Sequence, residues 1–194
     1  IVKKTNTSGE WQVGHSGSGY GVNFAYHMEL NSGNALSGSA PYYMGTQSQT
    51  NGDRLYLAGN GADNGDNYIA YIWQERPGYS KFGTYDGNLI TDGPFIHLGF
   101  RPAWVMIARL SGDNWIVKDS TRNTFNDVYS NVATNSSSAE FGSSGNNQTF
   151  DFVSNGFKIR GQDSGVSSNG NPFVYFAFAE QPAVSSFTTM INAR

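Results

Sequence analysis

The sequence contains no cysteine, so it can form neither a disulfide framework nor a metal site built on thiolates. Charged residues make up 14% of the chain and the net charge is −3, which leaves no basic field of the kind that phosphate backbones require. No run approaches the 18 apolar residues of a membrane-spanning helix. These absences argue against nucleic-acid partners and against insertion into a membrane.

Helical periodicity is also missing, because no window of useful length shows apolar residues at helical spacing between caps. The 194-residue chain is instead rich in glycine (24 residues), in aromatic residues (14%) and in serine, threonine and asparagine. Short strands joined by turns suit this composition. The sequence therefore predicts an all-β, sandwich-like fold with almost no helix.

The chain repeats itself. The segment around Trp11 returns around Trp115, which stands 104 positions later, and the strand-like residues 68–77 return as residues 173–182. A repeat of this length indicates copies of one structural unit. We therefore predict two pseudo-repeats of one β-rich unit, and we expect both Trp residues to lie in its core.

The predicted boundaries are residues 1–78 for the first repeat and residues 79–194 for the second. The first repeat has no counterpart of residues 79–101, so it is expected to be N-terminally truncated or completed by residues upstream. Since the chain opens at Ile1 without a methionine, we expect it to be a fragment of a longer protein.

Several strands can be placed from sequence. Residues 68–73 and 173–178 are almost wholly apolar, β-branched or aromatic, which predicts strands buried on both faces. Residues 95–100 and 103–108 predict two further strands, separated by Arg101 and Pro102.

A family resemblance covers essentially the whole chain. It is carried by the segments Tyr68–Tyr71, Glu75–Asn88, Asp92–Ile96, Gly99–Ala103, Asp119–Asn123, Asp151–Lys158 and Tyr175–Glu180, and by the ending Ile191–Arg194. These resemble a repeated domain found near the C-terminus of tail-fibre and other structural proteins of marine and environmental phages. The resemblance implies a virion location on the tail or capsid surface, other virion subunits as partners, a homotrimer, and no enzymatic activity or cofactor.

Three classes of function follow from the resemblance. Because the unit often follows lectin-like domains, the first is binding of a host-surface glycan by a tail-fibre or appendage domain. The second is a purely structural filament or capsid-decoration module without a ligand. The third and remotest is a glycan-degrading enzyme.

Aromatic residues among glycine, serine and asparagine are the candidate ligand-binding residues. They are Tyr20, Tyr26, Tyr42 and Tyr43. Aromatic rings can stack on the apolar face of a sugar while neighbouring polar side chains hydrogen-bond its hydroxyls. The alternative is that these rings pack against a neighbouring subunit.

Asp63 and Asp66 are candidate ligands of a structural calcium ion, because they lie in an acidic, asparagine-rich loop that resembles half of a calcium loop. The loop lacks the closing glutamate of such a site. A turn held by side-chain hydrogen bonds is the alternative interpretation.

Glu75 and Glu180 each follow a predicted buried strand. They could act as paired glycosidase acids, but capping a turn or pairing with Arg76 or Arg101 is the favoured interpretation.

The three histidines, His15, His27 and His97, show no metal-binding spacing. His97 is expected to be a hydrogen-bonded histidine in the core or in an interface.

Overall fold

The computed structural model describes residues 1–18, 23–24, 26–37, 43–45, 56–58, 65–143 and 147–180. For residues 23–24, 43–45 and 56–58 it describes the backbone alone.

The described part of the chain is almost entirely β-structure. The first repeat contains β1 (Val2–Lys4), β2 (Trp11–Val13), β3 (Asn23–Phe24), β4 (Met28–Glu29), β5 (Tyr43–Gly45), β6 (Tyr56–Ala58) and β7 (Tyr68–Ala70). The second contains β8 (Ser80–Asp86), β9 (Phe95–His97), β10 (Pro102–Arg109), β11 (Ile116–Asp119), β12 (Val132–Ala133), β13 (Phe150–Val153), β14 (Gly156–Ile159), α1 (Ser164–Ser167) and β15 (Pro172–Ala179). The prediction of an all-β fold is confirmed.

Helix is confined, in the described ranges, to the four residues of α1. Its turn begins after Asp163, whose Oδ1 accepts a hydrogen bond from the N–H of Gly165 at 2.7 Å and so caps the helical N-terminus. No helix among these residues is long and apolar enough to cross a membrane.

The larger sheets of the two repeats follow the same strand order. The first repeat has a four-stranded sheet, β4-β2-β1-β7, and the second has a five-stranded sheet, β12-β11-β10-β15-β8. Each repeat also has a three-stranded sheet, β3-β5-β6 in the first and β13-β14-β9 in the second. The described part of the first repeat has no counterpart of β8 and β9, which lie within residues 79–101.

Backbone pairing repeats in register. The pairing of β2 with β4 recurs as β11 with β12, each residue displaced by 104 positions, and that of β1 with β7 recurs as β10 with β15, displaced by 105. The N–H of Trp11 donates to Oδ1 of Asn31 at 2.9 Å, and the N–H of Trp115 donates to Oδ1 of Asn135 at 3.0 Å. The prediction of two pseudo-repeats is confirmed, and the boundary at residue 78 stays a prediction.

The five-stranded sheet lies between two other sheets. Successive side chains of a strand point to opposite faces, so Ile107 faces one apolar cluster and Met106 faces the other. The cluster of Ile107 packs against the sheet β13-β14-β9. The cluster of Met106 includes Val13 and Met28, so the four-stranded sheet of the first repeat covers the other face.

Polar contacts also join the repeats. The indole N–H of Trp115 donates to the carbonyl of Glu29 at 2.9 Å, and Nε2 of the buried His15 lies 3.1 Å from the carbonyl of Tyr175. Since Nδ1 of His15 accepts from the N–H of Gly17, Nε2 is the donor of this contact. Burial lowers the pKa of His15, which favours this neutral form.

Strand β7 departs from the prediction that residues 68–73 are buried on both faces. Tyr71 is 43% exposed and Ile72 is 72% exposed. That prediction is wrong because β8 covers the outer edge of β15, whereas no strand of the described part pairs with the outer edge of β7. The matching prediction for residues 173–178 is confirmed, since the side chains from Phe173 to Ala177 are buried.

The two repeat tryptophans differ for a related reason. Trp115 is 2% exposed, so its predicted place in the core is confirmed. Trp11 is only partly buried, and the same prediction is wrong for it, because it stacks on the exposed Tyr71 at 6.3 Å between ring centroids.

Candidate polar cleft in the first repeat

A cleft of about 200 Å³ opens on the four-stranded sheet of the first repeat. Its walls come from β1, β2, β4, β7, the β1–β2 connection and the residue before β4. It is lined by Val2, Lys4, Ser8, Gly9, Glu10, Gln12, His27, Glu29 and Tyr68. Most of these side chains carry hydrogen-bonding groups, so the cleft can bind a small polar ligand.

The repeat shows which of these residues are unusual. Strand pairing places Gln12 where the second repeat has Ile116, and Tyr68 where it has Phe173. Ile116 and Phe173 belong to the main apolar core, with exposures of 2% and 0%. The first repeat therefore carries polar groups where its copy carries core side chains.

Glu29 also replaces a residue that is buried in the second repeat. It stands at the position of Ala133, which is buried in the second repeat. A carboxylate at a core position is costly unless it is hydrogen-bonded or meets solvent or ligand. Oε2 of Glu29 accepts from Oγ of Ser32 at 2.7 Å and from Nδ2 of Asn34 at 2.8 Å, so this side chain is held in place at the cleft.

Tyr68 presents the clearest local anomaly. Its hydroxyl oxygen is buried and has no hydrogen-bond partner among the described residues, although the residue lines the cleft. A buried hydroxyl without a partner costs about 1–3 kcal/mol. Contact between a ligand and this hydroxyl would require a shift of the Tyr68 side chain, because the oxygen is buried.

Glu10 supplies the second carboxylate of the cleft. Its Oε2 accepts a short hydrogen bond from Nδ2 of Asn31, the residue whose Oδ1 also accepts from the N–H of Trp11. Asn31 thus links the β2 backbone to a cleft side chain. The equivalent Asn135 instead donates to Oδ1 of Asn114 at 3.0 Å, which places an amide where the cleft has a carboxylate.

Charges in the cleft are unevenly matched. Nζ of Lys4 lies 2.5 Å from Oδ2 of Asp66, so the cation is already paired with an acidic residue outside the cleft lining. The carboxylates of Glu10 and Glu29 line the same cleft as Lys4. Burial lowers the pKa of His27, and the negative charge of Glu29 opposes that shift. This balance disfavours anionic ligands.

An aromatic row lies on the opposite face of the same sheet. It consists of Trp11, Tyr71 and Trp73, with centroids 6.3 Å and 6.2 Å apart and planes inclined by 25° and 19°. Nζ of Lys3 lies 6.0 Å from the Trp11 ring. Tyr71 and Trp73 are 43% and 44% exposed, so the row presents apolar surface to solvent.

Most of the tyrosines predicted to bind ligand cannot be placed. Tyr20 and Tyr42 lie outside the described residues, and so does the side chain of Tyr43, whose backbone belongs to β5. Tyr26 is partly buried and immediately precedes the cleft residue His27. Their assignment to glycan binding stays a prediction.

Of the two predicted calcium ligands, Asp63 lies outside the described residues. Asp66 pairs with Lys4, and its Oδ1 accepts from Nδ2 of Asn6 at 3.2 Å. The described part of the chain contains no group of three or more acidic or histidine side chains that could hold a metal ion. The bonds of Asp66 match the alternative interpretation, a loop held by side-chain contacts.

The two glutamates that follow the predicted strands have structural partners. Glu75 accepts a hydrogen bond from the N–H of Phe82 at 2.9 Å, and Glu180 lies 3.3 Å from Nε of Arg101. These contacts agree with capping and with the predicted Arg101 pair. His97 is exposed on β9, so it does not lie in the core, and its place in an interface stays a prediction.

Similarity between the repeats does not reveal the residues that define the cleft. The signal is a polar residue in the first repeat at a position where the second repeat has an apolar one. Gln12 corresponds to Ile116, and Tyr68 corresponds to Phe173. A polar residue at a position where an internal copy has an apolar core residue indicates that the surroundings of that position differ between the copies.

Comparison with known families identifies the chain. Residues 1–182 match the family model described as a domain of unknown function, DUF7483, and the chain belongs to that family. No curated protein matches the sequence. No solved structure matches it.

Proposed function

We propose that this domain is a host-surface-binding module of a phage virion appendage, and that the polar cleft of its first repeat holds one sugar residue of a surface glycan. The phage setting is supported by the sequence resemblance described above. The binding role is supported by one observation: positions that are buried in the second repeat carry Gln12, Glu29 and Tyr68 in the first, and these three residues line a polar cleft.

A neutral sugar fits the chemistry of the cleft. Sugar hydroxyls donate to carboxylates and accept from amide and phenol groups, and the lining offers all of these in Glu10, Glu29, Gln12 and Tyr68. The volume of about 200 Å³ suits one ring rather than an oligosaccharide. The carboxylates of Glu10 and Glu29 disfavour sulfated or phosphorylated sugars, because like charges repel.

The domain binds without catalysis in this proposal. The acids that could act as a glycosidase pair, Glu75 and Glu180, hold a backbone amide and Arg101. Neither lines the cleft. The expected site of action is the virion surface, with other virion subunits as partners and a homotrimer as the assembly.

The test is a glycan array probed with the labelled domain, followed by titration of any sugar that binds. Two variants restore second-repeat residues in the cleft, Tyr68→Phe and Gln12→Ile. We expect each to weaken binding at least about tenfold, because each removes a hydrogen bond worth about 1.5 kcal/mol in a desolvated site.

The control is Phe125→Ala, since Phe125 is 82% exposed and does not line the cleft. It should bind as the unaltered domain does. A folded domain that binds no glycan, or binding that survives both cleft variants, would contradict the proposed site.

A purely structural module is the second candidate, and the aromatic row favours it. Trp11, Tyr71 and Trp73 form a surface of the type that packs against a neighbouring subunit. This role predicts a stable oligomer that Trp73→Ala dissociates, measured by light scattering. The binding role predicts that the same substitution leaves sugar affinity unchanged.

A further inference from the structure

The two edges of β7 are not equivalent. Backbone groups of an antiparallel strand point alternately to its two neighbours. The N–H of Tyr71 donates to the carbonyl of Ile1 at 2.8 Å, so Tyr71 faces β1. The N–H and C=O groups of Tyr68, Ala70 and Ile72 therefore point to the outer edge, where no strand of the described part pairs.

The second repeat shows what a filled edge looks like. Strand β8 pairs antiparallel with β15, the counterpart of β7, over seven residue pairs from Pro172–Asp86 to Phe178–Ser80. The N–H of Ala179 extends this ladder by donating to the carbonyl of Tyr79 at 2.7 Å. The displacement of 105 positions places Ala70 where Tyr175 pairs with Gly83.

Side chains of β8 also cover aromatic rings of β15. Phe82 contacts Phe176 at 5.6 Å and Phe178 at 5.8 Å between centroids. The counterparts of these two rings in the first repeat are Tyr71 and Trp73, which are 43% and 44% exposed. The described part of the first repeat thus lacks both the paired strand and the aromatic side chain that would cover these rings.

We propose that the outer edge of β7 binds an extended peptide segment of β8 chemistry, which adds antiparallel to the four-stranded sheet and places one aromatic side chain over Tyr71 and Trp73. Main-chain hydrogen bonds to Tyr68, Ala70 and Ile72 would supply part of the affinity, and the aromatic contact would fix the register. This interaction is independent of the polar cleft, which opens on the other face of the sheet.

The probe is a synthetic peptide with the sequence of residues 79–87, added to the full chain and followed by amide hydrogen exchange. Binding should slow exchange at Ala70 and Ile72 and leave Ile69 and Tyr71, which already face β1, unchanged. A peptide with alanine at the position of Phe82 should bind at least about tenfold more weakly.

Ala70→Pro tests the edge on the protein side. Proline removes the outward N–H of residue 70 and leaves the bonds to β1 in place, as edge strands tolerate. We expect at least about a tenfold loss of peptide affinity, whereas Ala70→Val, which keeps the N–H, should bind normally. Ile72→Pro serves the same purpose if Ala70→Pro does not fold.

Three results would overturn the proposal. The first is peptide protection that appears at β15 in place of β7, which would mean exchange with the chain's own β8. The second is equal affinity of Ala70→Pro and Ala70→Val for the peptide. The third is a concentration-dependent dimer that Ala70→Pro abolishes and the peptide does not compete with, since the occupant would then be a second copy of β7.

Discussion

The two repeats share backbone pairing but differ in their surroundings. In the second, β8 and the sheet β13-β14-β9 cover β15, and the core includes Trp115 and Phe173. In the first, the equivalent positions hold the partly buried Trp11 and the cleft residue Tyr68. The backbone pattern of the unit therefore persists although the side chains at these positions differ in burial.

The largest contrast should appear when the repeat tryptophans are truncated. Trp115→Ala removes a buried ring and its hydrogen bond to Glu29, which should lower the free energy of unfolding by about 3–5 kcal/mol. Trp11→Ala, at a partly exposed position, should lower it by about 1 kcal/mol. Urea unfolding measures both, and equal losses would contradict the difference in burial.

A buried lysine gives the second repeat a pH dependence of its own. Lys118 is 0% exposed and its Nζ donates to the carbonyl of Val128 at 3.0 Å, and burial lowers its pKa from 10.5 to about 7. Between these values the unfolded chain binds the proton and the folded chain does not, so stability rises with pH. The contribution should be roughly 2 kcal/mol between pH 7 and pH 9.

The first repeat has Gly14 at the corresponding position, so this pH dependence is confined to the second repeat. Lys118→Met should remove this rise and stabilise the domain at pH 7. Urea unfolding of both proteins at pH 7, 8 and 9 measures the slopes, and parallel slopes would show that Lys118 is not the group responsible.

The smallest expected effect tests the likeness of the repeats. Asn31→Ala removes the hydrogen-bond acceptor of the backbone N–H of Trp11, and Asn135→Ala removes that of Trp115. Each substitution should lower the free energy of unfolding by about 1 kcal/mol. Only Asn31→Ala should also weaken sugar binding, because Asn31 holds Glu10 at the cleft. A loss of affinity in Asn135→Ala would contradict this separation.

Much of the fold could be predicted from local sequence. The turn-rich composition predicts short strands, and the spacing of Trp11 and Trp115 predicts the repeat. The exposure of residues 68–73 could not be predicted, because it depends on whether a distant strand pairs with β7. Matching apolar runs are buried in β15 and exposed at residues 71–73, which follow β7.

The cleft was partly predictable. The replacement of Ile116 by Gln12 at the equivalent position is visible in the sequence once the register of the repeats is known, and it indicates an altered core face. The unpartnered hydroxyl of Tyr68 was not, since it follows from packing of several strands. The candidate tyrosines follow from composition alone, which says little about the spatial neighbours of a single residue.

The most direct test is a titration of the isotopically labelled domain with hexoses and N-acetylhexosamines, followed by amide chemical shifts. The account predicts that the shifts cluster at Lys4, Gln12, Glu29 and Tyr68, and that the matching positions of the second repeat do not move. Shifts confined to the aromatic row, or no shifts at millimolar sugar, would contradict the claim that the altered core of the first repeat is a binding site.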